Sequence, residues 1–202
     1  MGEFFINIIK LFFALLLVPI ALACAIVIQG HFDTYHGYAD FVLWGILAFL
    51  FFHLFIYKFS AVYEFGQKFI AIIFRFLAPM DRFISYLIPF YFTLISVVFY
   101  TVTRFWDVAA YQHYFVFFLG FSFAMHIICS AEGLQDQEKM LIKPSYFLWM
   151  SLVFIFNILW AVLVLDVLTG QWTFLRFLDA TMSSSWDYYK DTFMTVVDWA
   201  RR

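Results

Sequence analysis

The sequence predicts an all-α polytopic membrane protein with about five transmembrane helices, and two observations lead to this fold class. First, 65% of the 202 residues are apolar and 25% are aromatic, whereas only 13% are charged; a soluble domain averages about 25% charged residues. Second, the apolar residues form long continuous runs, whereas the strands of a membrane β-barrel alternate polar and apolar residues. The composition excludes a soluble enzyme and a disordered linker, because a small soluble fold cannot bury this much apolar surface. The net charge of −2 gives no reason to expect a nucleic-acid partner.

Five apolar stretches are long enough to cross the hydrocarbon core of a bilayer, which takes about 20 residues. Formal charges occur in them only at Asp40 and Asp166, each near the end of a stretch. The first stretch is too long for the apolar region of a signal peptide, so we expect it to be retained as a span. The predicted spans, within a transmembrane domain of residues 1–168, are 11–29, 39–57, 85–103, 114–131 and 145–168.

The distribution of Lys and Arg predicts the orientation of these spans, because both residues concentrate on the cytoplasmic side of a membrane. Loops 58–84 and 132–144 are basic, whereas loops 30–38 and 104–113 together contain one basic residue, Arg104. We therefore expect a multi-pass protein of the cytoplasmic (inner) membrane with its N-terminus inside and its C-terminus outside. Seven basic residues fall on the predicted inner side: Lys10, Lys58, Lys68, Arg75, Arg82, Lys139 and Lys143.

Residues 59–84 are too long and too apolar for a plain connecting loop. Lys68, Arg75 and Arg82 recur at intervals of seven and would lie near one face of a continuous helix. The pattern predicts a cytoplasmic in-plane helix whose three basic residues contact acidic lipid headgroups. The alternative is a helical hairpin packed against the transmembrane bundle.

Residues 169–202 predict an amphipathic tail helix on the outer surface. Ser184 and Ser185 resemble a helix start, because serine caps the first turn of many helices. Apolar side chains then recur at helical spacing, which indicates a stripe that lies on lipid or docks on a membrane protein partner. The predicted partner-binding residues are Trp186, Tyr189, Phe193 and Val197.

Two histidines, His53 and His126, lie within predicted spans, where ionisable residues often mark functional sites. Together with Glu64, Cys129, Glu132 and Asp136, which lie nearby in the sequence, they could bind a metal ion or relay a proton. The alternative is that each histidine packs between helices, since no histidine or cysteine pair has the spacing of metal ligands. We expect no cofactor, no bound metal and no catalytic residue. If a metal is bound, its ligands should include His53, His126 and Glu64.

The segment Tyr63-Glu64-Phe65-Gly66-Gln67 resembles the His-Glu-Phe-Gly-His form of the zinc-binding helix in site-2-protease-like intramembrane zinc metalloproteases. In that family the two histidines bind zinc and the glutamate between them is the general base. Here Tyr63 and Gln67 stand at the ligand positions, and Glu64 alone matches a functional residue of the motif.

The resemblance extends over residues 50–168, where the later stretch 118–168 is similar to later helices of that family. The family's Asn-x-x-Pro element is missing, because Trp160 stands where proline would follow Asn157. The resemblance implies a degenerate relative without zinc, a pseudoenzyme kept for its scaffold or for a partner surface.

Three functions remain for such a chain. The first is a non-catalytic accessory or scaffold subunit of a membrane protein complex, in contact with lipids and with protein partners. The second is a transporter or lipid-handling protein, although the sequence has no internal repeat and no matching pair of broken spans. The third, an intramembrane metalloprotease, ranks last because both zinc ligands of the motif are replaced.

Overall fold

The computed structural model describes residues 2–32, 37–56, 59–77, 81–138 and 143–201, which are almost entirely helical and contain no strand. This confirms the predicted all-α class for the described residues. The helices are α1 (Gly2–Phe32), α2 (Tyr38–Phe55), α3 (Ser60–Ile73), α4 (Asp81–Leu87), α5 (Phe90–Phe105), α6 (Gln112–Glu138), α7 (Pro144–Thr169) and α8 (Phe174–Ala200), with short 3-10 turns at Arg75–Leu77 and Ala109–Tyr111.

Four helices in the described ranges are long and apolar enough to cross a membrane. They belong to α1, α2, α6 and α7, as the sequence predicts, and they are consistent with an integral, multi-pass membrane protein. The four candidate spans are Phe5–His31, Tyr38–Phe55, Gln112–Asp136 and Pro144–Thr169.

The stretch predicted as a third span, 85–103, is not one continuous helix. It includes the end of the short helix α4, a break at Ile88 and Pro89, and most of the 16-residue helix α5. Proline disfavours helical geometry in the residue before it and lacks the N–H that a helix interior needs, which explains the break. At 1.5 Å per residue α5 is roughly 24 Å long, somewhat shorter than a hydrocarbon core of about 30 Å. The count of about five spans therefore stays a prediction.

The chain divides into two compact units. Residues 32–139 form one unit, which contains α2 to α6. Residues 1–31 and 140–202 form the other, in which α1 meets α7 and α8.

In the α2–α6 unit, α2 and α6 make the most extensive helix–helix contact. Gly45 of α2 and Gly120 of α6 lie at this crossing. A methyl group on Gly45 would overlap the backbone of Phe117, and one on Gly120 would overlap the backbone of Val42. Small residues let transmembrane helices approach this closely, so the two glycines set the distance between α2 and α6.

In the α1/α7/α8 unit, α8 runs antiparallel to α1. Thr173 contacts His31, at the end of α1, with 2.9 Å between Oγ1 and Nε2. Farther along α8, Thr181 lies beside Cys24, and Tyr189 donates its hydroxyl hydrogen to the backbone oxygen of Leu16. The contacts thus move back along α1 as α8 proceeds. This course lays α8 beside a candidate span, and the position of the tail on the outer surface stays a prediction.

A tight turn between α7 and α8 produces this reversal. Gly170 ends α7 in the left-handed conformation, with φ of 70°, and Gln171 donates its backbone N–H to the oxygen of Asp166. Helix α8 then begins at Phe174 rather than at the predicted start near Ser184. Ser185 lies inside the helix, where its hydroxyl donates to the backbone oxygen of Thr181.

Candidate functional site

His53 forms an ion-pair-type contact with Glu132. The distance from His53 Nε2 to Glu132 Oε1 is 3.0 Å, and it joins the last turn of α2 to the C-terminal part of α6. The imidazole also stacks on the ring of Phe49, with ring centroids 5.3 Å apart. The histidine side chain is 10% exposed and the glutamate side chain 49% exposed, so the pair connects a buried ring to the surface.

His126 has a different partner. Its Nε2 lies 2.9 Å from the backbone oxygen of Tyr86, which has to accept a hydrogen from the ring. The ring also packs against Tyr63, at 5.6 Å between centroids. His53 and His126 therefore bind separate partners. Among the residues that the structure describes, no group of three or more histidine, cysteine or acidic side chains is arranged to hold a metal ion.

The two positions that correspond to zinc ligands in the metalloprotease motif are joined by a hydrogen bond. Gln67 donates its side-chain N–H to the hydroxyl of Tyr63, and that hydroxyl lies 2.6 Å from Ser130 Oγ of α6. Burial raises the pKa of Tyr63 above its ordinary value, so the phenol stays protonated. Tyr63 thus links α3 to α6, and Gln67, one helical turn later, bonds to Tyr63; neither side chain is charged.

Next to this network lies a cavity of about 10 Å³, comparable to the smallest space that holds one water molecule. Its lining includes Tyr63, Gln67, Ser85 and His126. Glu64 lies elsewhere, on the exposed side of α3. The cavity therefore brings Tyr63 and His126 together, whereas His53 and Glu64, the other two predicted metal residues, do not line it.

Helix α3 has three distinct faces. Tyr63, Gly66 and Ile70 are buried against the rest of the unit. Glu64 and Lys68 lie on a second, exposed face, and the remaining exposed face is apolar. Its large side chains are Val62, Phe65, Phe69, Ile72 and Ile73.

Of the predicted headgroup-binding residues, Lys68 is exposed on α3, and Arg75 is exposed in the 3-10 turn that follows. The side chain of Arg82 lies outside the described residues. Helix α3 ends at Ile73, so the seven-residue spacing of the basic residues does not correspond to one continuous helix.

Helix α8 has the same three-faced organisation. Phe177, Thr181 and Ser185 are buried and follow one another at intervals of four. The predicted stripe lies on a second face, where Trp186 is 70% and Phe193 66% exposed, and where Tyr189 and Val197 are partly covered. The third face is exposed and charged, and it carries Arg176, Asp179, Asp187, Lys190, Asp191 and Asp198.

A buried carboxylate joins α1, α7 and α8. Asp166 is 2% exposed, and its Oδ2 accepts the backbone N–H groups of Thr173 and Phe174 at 2.7 and 2.6 Å. Its Oδ1 accepts the Thr173 hydroxyl at 2.6 Å, and the same hydroxyl contacts His31. The side chain thus caps the start of α8 from the end of α7. The sequence shows Asp166 at a span end but does not reveal this role.

An apolar groove, which no pattern in the sequence predicts, lies in the same unit. Its volume is about 580 Å³, it is open on one side, and its lining is almost entirely hydrocarbon. The lining residues are Phe13, Leu16, Leu17 and Ile20 of α1, Leu148 and Leu152 of α7, and Tyr189 of α8.

Lys10 and Ser145 stand one helical turn before this groove, with 2.9 Å between Lys10 Nζ and Ser145 Oγ. Lys10 belongs to α1 and Ser145 to α7, so this hydrogen bond joins the two helices that form the walls of the groove.

Comparisons of the chain with models of known protein families, with curated proteins and with solved structures find no match. The geometry of the chain itself is therefore the basis for its proposed function.

Proposed function

We propose that the protein is a non-catalytic accessory or scaffold subunit of a membrane protein complex. The observation that carries this proposal is the position of α8, which follows α1 while exposing a charged face and an aromatic stripe. Charged side chains at membrane depth are costly unless they meet water or protein. If α1 spans the bilayer, a partner that covers α8 removes this cost and also buries Trp186 and Phe193.

The resemblance to intramembrane metalloproteases is compatible with this role, because a pseudoenzyme that has lost its zinc ligands can still serve as a scaffold. Its support is the bond between Tyr63 and Gln67, because the positions of the two zinc ligands are already used for hydrogen bonds to each other and to Ser130. Glu64→Gln should then leave partner binding unchanged. Zinc near one equivalent in the purified protein, together with loss of function in Glu64→Gln, would instead favour an active metalloprotease.

We further propose five spans in the inner membrane, with the N-terminus inside and α3 in the plane of the cytoplasmic interface. The three faces of α3 suit such a position, since one face would contact protein, one lipid and one water. Lys68 and Arg75 would then lie at the level of acidic headgroups. Arg82 belongs to the same proposal on sequence grounds.

Co-purification tests the scaffold proposal. The full chain is extracted in a mild detergent, and co-eluting proteins are identified by mass spectrometry. Trp186→Ala combined with Phe193→Ala should release the partner, because buried aromatic anchors often contribute about 2 kcal/mol or more to an interface. The matched control is Phe105→Ala combined with Trp106→Ala, two aromatic residues that are comparably exposed on the α2–α6 unit.

A second pair of substitutions, Asp187→Asn with Asp191→Asn, separates the charged face of α8 from its aromatic face. The partner should stay bound to this variant, because Trp186 and Phe193 are unchanged and asparagine keeps a polar side chain at both positions. Full retention of every partner in the aromatic double variant would remove this stripe from the interface. A wild-type protein that elutes as a monomer without any co-purifying chain would contradict the scaffold function as a whole.

A further inference from the structure

We propose that the groove between α1 and α7 binds one acyl chain of an anionic phospholipid, whose headgroup lies on Lys10. The ligand is a lipid of the surrounding bilayer, and the site consists of the groove and of the Lys10–Ser145 pair at its end.

The groove has the size and chemistry of an acyl-chain site. Ligand pockets commonly measure about 300 to 1,000 Å³, and this groove, at about 580 Å³, falls within that range. Its lining is almost wholly apolar, so it offers no partner to a polar ligand along its length. It is also open along one side, as a site must be if its ligand enters laterally from the bilayer.

The cation stands in line with the groove. On α1, Lys10 is followed by Phe13, Leu17 and Ile20 at the spacings of one helix face. On α7, Ser145 is followed in the same way by Leu148 and Leu152. A ligand that lies along both walls therefore has its polar end at the Lys10–Ser145 pair.

The depth of the site matches one leaflet of a bilayer. Ten residues separate Lys10 from Ile20, which corresponds to about 15 Å along a helix. The hydrocarbon core is about 30 Å thick, so each leaflet contributes about half of that distance. A chain whose headgroup lies at Lys10 would thus reach the bilayer midplane near Ile20.

The charge of Lys10 selects the headgroup. An ammonium group has three N–H donors, of which one is directed to Ser145 Oγ. The positive charge at the polar end of the groove complements a phosphodiester that carries a net negative charge, as in phosphatidylglycerol. A zwitterionic lipid such as phosphatidylcholine offers the same acyl chain without the net charge.

Lipid retention tests the proposal. The full chain is purified in dodecyl maltoside, equilibrated with micelles that contain equal amounts of phosphatidylglycerol and phosphatidylcholine, and purified again. Native mass spectrometry then counts the bound lipids. The wild type should keep about one lipid per chain, and phosphatidylglycerol should be favoured about five-fold, as expected for one lysine near the membrane surface.

Two variants separate the headgroup from the acyl chain. Lys10→Gln keeps a donor for Ser145 but removes the charge, so one lipid should remain bound while the preference for phosphatidylglycerol disappears. Leu148→Trp fills the groove and should lose the lipid whatever its headgroup. The matched controls are Lys190→Gln on α8 and Leu15→Trp, an exposed residue of α1 outside the groove; both should behave as the wild type.

Three results would overturn the proposal. One is a wild type that keeps no lipid, including one that elutes as a lipid-free dimer with a second copy in the groove. Another is a Leu148→Trp variant that binds as much lipid as the wild type. The third is an unchanged preference for phosphatidylglycerol in Lys10→Gln. The Lys10→Gln measurement leaves the groove unchanged, so it tests the proposal even if Leu148→Trp fails to fold.

Discussion

Gly45 and Gly120 are the residues whose replacement by the next larger amino acid should harm the fold most directly. Each faces the backbone of the opposite helix at the α2–α6 crossing, where a Cβ atom has no space. Gly45→Ala or Gly120→Ala should therefore force α2 and α6 apart and lower the free energy of unfolding by about 1 to 3 kcal/mol. Unfolding in detergent, followed by circular dichroism, measures the loss.

Gly30→Ala is the matched control for these substitutions, because a Cβ on this helical glycine would meet no atom within 4 Å. Alanine favours a helix over glycine by roughly 1 kcal/mol, so Gly30→Ala should be neutral or slightly stabilising. Equal stability of all three variants would show that the close approach of α2 and α6 is absent in the protein.

Asp166 holds the start of α8 from the end of α7. Asp166→Ala would remove the carboxylate that accepts the backbone N–H groups of Thr173 and Phe174. Each buried donor left unsatisfied costs about 1 to 3 kcal/mol, so the variant should be destabilised by at least that amount. Asp179→Ala, on the exposed face of α8, is the control and should change stability by less than about 0.5 kcal/mol. The same unfolding titration compares the two, and equal stability would contradict the capping role.

At the scale of single elements, composition was sufficient to predict the helices of α1, α2, α6 and α7. A run of some 20 apolar residues has few other stable arrangements in a bilayer, so length and hydropathy identify it. Pro89 breaks the stretch 85–103, since proline disrupts a helix interior wherever it occurs. The residues on both sides of it are apolar, so hydropathy alone predicts one continuous span there.

The start of α8 was not predictable in this way. Ser184 and Ser185 have the composition of a helix start, but the actual cap is the carboxylate of Asp166, in a different helix. A capping interaction with a side chain outside the element leaves no local pattern in the sequence. The contacts of the candidate site were not predictable for the same reason. The hydrogen bond of Tyr63 to Ser130 and the groove beside Lys10 both join helices that are distant in the chain.

The antiparallel course of α8 can be tested by a crosslink. Cys24 is one of two cysteines and lies beside Thr181. In a chain with Cys129→Ala, Thr181→Cys should form a disulfide with Cys24 after mild oxidation in membranes. Asp187→Cys should not, because this exposed position lies on the charged face of α8. The readout is the mobility of the protein on a non-reducing gel, and a helix that lies flat on the outer surface would give no crosslink at either position.

For the whole molecule, the orientation in the membrane is the most informative measurement. A reporter fused after Lys143 should be cytoplasmic, and one fused after Gln171 should be exported, because the basic loops are expected inside. If both reporters showed the opposite location, the proposed orientation would be wrong. If both lay on the same side, α7 would not be a span.

A reporter after Arg202 decides between two positions of the C-terminus. The sequence predicts an outer C-terminus, whereas the course of α8 carries its end back toward the start of α1. Tyr189 lies at the level of Leu16, and the eleven residues from there to Ala200 add about 16 Å. Export of this reporter would favour the sequence prediction, and a cytoplasmic location would mean that α8 crosses the membrane under the cover of a partner.

The division into two units has a consequence for biogenesis, because the helices leave the ribosome in the order of the chain. The α2–α6 unit is a continuous piece of chain and can assemble as soon as residue 139 has been made. Helix α1 is made before the α2–α6 unit, yet its partners Ser145, Thr173 and Tyr189 are made after that unit. During translation α1 therefore waits for α7 and α8 before its own unit can form, and nascent chains arrested before α7 should leave exposed the face of α1 that these residues later contact.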